Sequence, residues 1–225
     1  MIISEQLLNK IVTALSKMPN KWDGRQVIQG WKNSGKEEYW RQMEWFGWRF
    51  QELCENHLKQ TQMFDFTEQR YGYADFDAFA EIPWDYKAHA RQNPLGQQTR
   101  KIPGTDRRAT LQAIKDYGAA GFILGIGEAV FNDENRSFQQ WHQSIKGDLS
   151  EYERERINRG ASSRVRKTAF TLQEIWIIEI DERLYEKFEP FMEGFRNKDG
   201  TPRKAKVMLD LNIIKPIRKI AFSCV

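Results

Sequence analysis

An α/β sandwich built on a mixed central sheet flanked by helices is the fold class this chain predicts, and three observations predict it. The hydrophobic period changes from the helical value of about 3.6 to the strand value of about 2 just after Lys59. The run AAGFILGIGEAVF (residues 119–131) is apolar on both faces, as a strand covered on both sides must be. Between these landmarks the order reads helix, three strands, helix, strand, which is a layered α/β arrangement.

The elements follow in order. Residues 5–18 place Leu7, Leu8, Ile11, Val12 and Leu15 at helical spacing, with Ser4 as N-cap and Pro19 as the stop. A polar connection containing Gly24, Gly30 and Gly35 comes next. Residues 37–59 form the strongest helical pattern, with Tyr39, Trp40, Met43, Phe46, Phe50, Leu53 and Cys54 on one broad face. Met63, Phe64 and Phe66 mark a first strand, and residues 71–81 and 83–90 alternate like a strand pair joined by a short turn. Residues 106–117 are helical up to Gly118, and the central strand 119–131 follows. Helices over 135–146 and 150–158, a strand over 170–181, a helix near 183–192, the basic turn NKDGTPRK and the strand VMLDL complete the chain. No repeat or linker divides it, so residues 1–225 read as one domain.

Composition excludes several classes. Hydrophobic residues make up 40% of the 225, including 8 Trp, 7 Tyr and 14 Phe, too much apolar surface for an intrinsically disordered chain. The longest apolar stretches, such as 119–126, fall short of the roughly 18 residues a membrane span needs, and mean hydropathy is −0.71, so no membrane partner is expected. The opening MIISEQLLNK lacks the features of a secretion signal, which makes a cytoplasmic location the expectation. Cys54 and Cys224 lie far apart with no CxxC or Cys/His cluster and read as free thiols.

The net charge is only +4, but its distribution is uneven. Residues 97–108 carry four bases and one acid, 151–170 six bases and three acids, and 196–206 five bases and one acid. Three Arg-rich segments carrying Gly, Ser, Thr or Asn favour a polyanion, because guanidinium forks match phosphates and purine edges.

The chemistry concentrates in the strand pair. Asp85 and Lys87 share one strand face while Trp84 and Tyr86 take the other, and a short turn after Ala80 sets Asp77 beside them. Two carboxylates from adjacent strands make a hard oxygen site suited to Mg2+. A lysine beside such an ion can position an attacking water. Asp75, two residues from Asp77 on the same face, competes for the role of first acid. Glu44, a charged residue within an aromatic helix, is a further candidate catalytic acid, and His89 shares the Lys87 face. GIGEAV lacks the third glycine of a dinucleotide-binding loop. His142, alone on a helix, reads as structural.

FDAFAEIPWDYKAHA (residues 76–90) resembles the active-site hairpin of the PD-(D/E)xK nuclease superfamily, in the form whose second acid is Asp, as in many type II restriction endonucleases. Phe76 stands where that pattern has Pro. The resemblance implies a restriction-endonuclease-like core over about 37–131, with DNA-recognition elements over about 150–210. It implies Asp77 and Asp85 as ligands of Mg2+, Lys87 as the residue orienting water, and double-stranded DNA as substrate, cut to 5′-phosphate and 3′-hydroxyl ends. A homodimer reading a short palindrome and a DNA methyltransferase as genetic partner are further implications. Arg159, Ser162, Ser163, Arg164, Arg166 and Lys167 form the leading DNA-contact set, Asn197, Lys198, Arg203 and Lys204 a second, and His89 an additional contact. A structure-selective repair nuclease or junction resolvase, and a non-catalytic DNA-binding protein with a degenerate nuclease core, are the rival readings.

Overall fold

A computed structural model of the chain describes residues 2–66, 75–149, 151–161, 164–196 and 200–223. The N-terminal part contains α1 (Glu5–Leu15), β1 (Lys21–Asp23), α2 (Gly24–Asn33), α3 (Glu37–Trp40) and α4 (Trp45–Lys59). The strand pair and its sequel follow as β2 (Asp65–Phe66), β3 (Ala78–Ala80), β4 (Ile82–Ala90), β5 (Lys101–Asp106), α5 (Arg107–Tyr117) and β6 (Ala120–Val130). The remainder comprises α6 (Ser137–Lys146), α7 (Glu151–Asn158), β7 (Ala169–Ile180), α8 (Glu182–Tyr185), β8 (Pro190–Phe191), β9 (Lys206–Asp210) and β10 (Arg218–Ala221).

The main sheet runs β1-β7-β6-β4-β3-β2, with β10 also paired to β7. It is mixed, because β4 and β6 are parallel while every other pair is antiparallel. Parallel neighbours need a crossover, and α5 supplies it. One face of the sheet packs on α1, α2 and α4 through a core that includes Leu7, Trp45, Phe50, Trp84 and Ile123. The opposite face carries Phe122, Leu124 and Ile178 and is covered by Ala113 and Ile114 of α5 and by Val207 and Leu209 of a small second sheet, β5-β9-β8. Both faces of β6 are therefore dry, as its unbroken apolar run requires. Its glycines admit bulky neighbours: a Cβ on Gly125 would stand 2.5 Å from the Phe50 ring, and one on Gly121 2.5 Å from Trp84. GIGEAV is thus a packing motif.

Four sequence expectations change. The glycine-bearing connection is β1 and α2, the helix being capped by Asp23, which accepts from the Gln26 amide (2.9 Å), and anchored by buried Ile28 and Trp31. Tertiary burial overrides the poor helix propensity of Gly24 and Gly30. The expected helix over 37–59 breaks at residues 41–44. Trp40 and Trp45 are both buried, yet residues five apart point about 140° away from each other on a helix, and the Trp40 carbonyl accepts from His142 Nε2 (2.7 Å). The segment 101–106, read only as part of a basic stretch, is β5. The helix expected near 183–192 is limited to α8 and gives way to β8. Residues 71–74 of the expected strand 71–81 lie outside the described residues, and its remainder contributes β3. Among the described residues, no helix is long and apolar enough to cross a membrane.

Candidate active site

The hairpin of β3 and β4 turns on a single residue, Glu81, whose φ of 61° lies in the left-handed region. The Glu81 carboxylate offsets that strain by accepting from the Ser4 amide (2.8 Å) and hydroxyl (2.6 Å) at the start of α1. Asp77 directly precedes β3, its amide donates to the Trp84 carbonyl (2.8 Å) just beyond the last pair of the register, Ala78↔Trp84, and its carboxylate lies close enough to Asp85 for the two charges to act on each other. Sequence periodicity anticipates this juxtaposition. Trp84 and Tyr86 enter the core beneath α4, and Asp85 and Lys87 face the layer formed by β5 and β9.

Asp77 is fixed from two sides. Its Oδ1 accepts from Gln51 Nε2 on α4 (2.7 Å) and its Oδ2 from the Tyr86 amide (2.6 Å). Asp85 is 2% exposed. Lys87 Nζ donates to its Oδ1 (2.6 Å), while its buried Oδ2 has no hydrogen-bond partner. Burial pushes the Asp85 carboxyl up to about 7; Lys87 opposes that shift, and the nearby Asp77 adds to it. Burial disfavours the Lys87 ammonium, but Asp85 and Asp77 overcome this and hold it above the usual lysine value.

Three further side chains converge here without having been singled out from the sequence. Gln51 holds Asp77, as described. Glu55, four residues along α4, is pushed up to about 7 by burial, with Lys59 opposing and Asp77 reinforcing, and its Oε1 is buried without a partner. Lys206 on β9 is half-buried, and burial together with the charge of Lys87 lowers its pKa, while Asp85 acts in the other direction. The available signal for the first two was the polar pair at i and i+4 inside an aromatic helix. Nothing local marks Lys206, which reaches this region only through pairing of β9 with β5.

The other candidates separate from this group. Asp75 is half-buried and pairs with Lys204 (2.9 Å), and it is Asp77 whose charge acts on Asp85. Glu44 is the residue preceding α4 and forms an ion pair with Lys167 (2.6 Å); the acid of α4 that faces Asp77 is Glu55. His89 is 9% exposed and its Nε2 donates to the Thr99 carbonyl (2.8 Å), a satisfied edge histidine rather than a surface contact. Arg166 departs most from the expected DNA-contact set. At 7% exposure it is enclosed beside Glu153 of α7 and cannot meet a duplex without repacking. Lys167 is largely enclosed between Glu44 and the Phe46 ring, whereas Arg159, Arg164, Arg203 and Lys204 are exposed. Ser162, Ser163, Asn197 and Lys198 lie outside the described residues. His142 is buried and structural as expected, and burial lowers its pKa to about 4.

Among the described residues, no three or more His, Cys, Asp or Glu side chains gather into a ready-made metal cluster. The donor set that would suit a hard divalent cation is the pair Asp77 and Asp85. Asp85 presents a buried oxygen with no hydrogen donor, and two like charges across one strand pair are each unfavourable without a counter-charge. Comparison of the chain with protein families, curated proteins and solved structures finds no match in any of the three.

Proposed function

We propose that this chain is a metal-dependent nuclease that hydrolyses phosphodiester bonds in double-stranded DNA, with Asp77, Asp85 and Lys87 as its active site. The observation that carries this reading is the meeting of two carboxylates and an ammonium at one place: Asp77, at the entry to β3 and bonded to the Tyr86 amide of β4, acts on the charge of Asp85, and the Lys87 ammonium is bonded to Asp85. The framework supports it too: α4 precedes the strands, α5 and β6 follow them, and the sheet order β2-β3-β4-β6 preserves the sequence order of the hairpin core. The resemblance of residues 76–90 to the PD-(D/E)xK hairpin extends the reading to a type II restriction endonuclease, acting as a homodimer on a short palindrome beside a protecting methyltransferase.

Asp77 and Asp85 would hold the cation, Mg2+ being the expected one. When bound, it supplies charge neutralisation at the phosphodiester and acidifies a nearby water. Gln51 and the Tyr86 amide keep the Asp77 carboxylate oriented. Lys87 spends one of its three donors on Asp85, leaving two for an attacking water and a phosphate oxygen. Packing of β5 and β9 over this face excludes bulk water and strengthens each of these interactions.

The test is cleavage of plasmid DNA by the purified chain with Mg2+ and with EDTA. Discrete fragments with Mg2+ alone, lost in Lys87→Ala, are expected for the restriction enzyme. Cleavage confined to branched or damaged substrates would assign the repair or junction-resolving alternative. DNA binding without cleavage in any metal would overturn the enzymatic reading.

A further inference from the structure

Lys206 is a charge in an unfavourable place. It is half-buried at the first position of β9, opposite Asp106 in the β5–β9 register, where that pairing becomes irregular. Its neighbours pin this segment beside the active-site strand pair. Lys204 pairs with Asp75 (2.9 Å), the Thr105 hydroxyl of β5 donates to the Asp75 carbonyl, and the Arg107 amide donates to the Ala205 carbonyl (2.7 Å). Asp75 lies two residues before Asp77, and the charges of Lys87 and Asp85 both act on Lys206. Yet among the described residues no carboxylate stands within ion-pair distance of the Lys206 ammonium and no hydrogen bond holds it.

A partly dehydrated ammonium next to a second lysine costs stability, and a methionine of similar length would relieve that cost. A cation maintained against its own stability is what an anion-binding site requires before the anion arrives. We propose that Lys206 is a phosphate-binding residue of the Asp77–Asp85–Lys87 site, contributed by the second sheet and directed at a phosphodiester of bound nucleic acid. This deepens the nuclease reading and rests on it. Lys87 is engaged by Asp85, so Lys206 supplies the positive charge that the two carboxylates would otherwise deny to an approaching phosphate. A phosphodiester, whose single negative charge is spread over two non-bridging oxygens, can accept from both lysines.

The experiment uses the full chain as wild type, Lys206→Met and Lys206→Arg. It measures affinity for a labelled DNA duplex in EDTA across a salt series, together with thermal unfolding of each protein. Lys206→Met should weaken binding about tenfold and reduce the slope of log affinity against log salt by about one, while its Tm rises. Lys206→Arg should restore most of the affinity and the slope. Unchanged affinity and slope in Lys206→Met, with wild type binding normally, would overturn the role of Lys206 alone. A fall in Tm for Lys206→Met would assign the residue to the fold and overturn the proposal likewise. Absence of duplex binding and of Mg2+-dependent cleavage by the wild type would overturn the nuclease reading on which the proposal stands.

Discussion

Glu52 and Glu55 stand one turn apart on α4, carry the same side chain, and meet opposite fates. Glu52 accepts from Lys36 (2.5 Å), Arg49 (2.6 Å) and Trp31 Nε1 (2.9 Å). Burial works against its charge, but these three donors outweigh it and lower the pKa. Glu55 has a buried oxygen with no partner and faces Asp77, and its pKa rises to about 7. The same contrast holds on a larger scale. On the Glu52 side of α4 the carboxylate is fully supplied with donors, two cations and an indole N–H, although the buried Arg49 Nε has no partner. The side facing the β3–β4 hairpin sets Glu55 and Asp85, each with one buried oxygen that no donor reaches, around the well-bonded Asp77. Buried carboxylate oxygens that lack donors beside a third acid make this side the candidate for a cation, whereas the donors around Glu52 serve the fold.

The sharpest way to break that contrast is catalytic. Asp85→Asn and Lys87→Ala should each lower Mg2+-dependent DNA cleavage by at least about 10³-fold, counted per molecule that urea unfolding shows to be folded. Retention of full cleavage in both variants would empty the hairpin of its assigned role. Next in size is Glu52→Ala, which strands Lys36, Arg49 and the Trp31 N–H. It should cost about 3 kcal/mol of stability in urea unfolding, while the folded fraction keeps its cleavage rate per molecule. A smaller effect is expected at Arg166, which is enclosed by the fold rather than offered to a partner. Arg166→Ala should lose about 2 kcal/mol, against less than about 0.5 kcal/mol for exposed Arg164→Ala, which should instead lessen the salt dependence of DNA binding.

The smallest effect is a pH dependence at Glu55. Its folded pKa of about 7 lies above the ordinary 4.5, so the folded state binds the proton more tightly and stability falls as pH rises between those values. Below pH 4.5 the penalty is absent, and above pH 7 it is complete. Glu55→Gln should therefore gain about 1 kcal/mol over wild type at pH 8, a figure reduced by the partial contact of Glu55 with solvent, and nothing at pH 4. Urea unfolding at the two pH values measures it. A gain of equal size at both would show that Glu55 titrates as an ordinary surface acid.

The hairpin could be read without a structure because its logic is local. Residues 84–87 alternate in polarity, and a turn follows Ala80, so the start of the hairpin brings Asp77 beside Asp85 and Lys87. The long helix was legible in outline, but its break at residues 41–44 was not, since that break depends on His142, about a hundred residues away, taking the Trp40 carbonyl. The sequence points to Glu44 and does not single out Glu55, for the same reason. Along the sequence both are acids among aromatics, and only the packing of α4 on β4 turns one toward Asp77 and leaves the other to Lys167.

By itself the sequence determined what depends on period and composition: the mixed α/β class, the doubly buried β6, the face shared by Asp85 and Lys87, and the structural character of His142. Tertiary structure decided which charges are dry. Covering the β4–β6 face with β5 and β9 is what strips Asp85 of water and brings Lys206, more than a hundred residues distant, to the same site. Closing α7 around Arg166 removes a guanidinium from the surface that its basic segment seemed to offer. Periodicity is carried by neighbouring residues and can be read along a chain. Desolvation comes from whatever segments arrive to exclude the water, and those are brought together only by the fold.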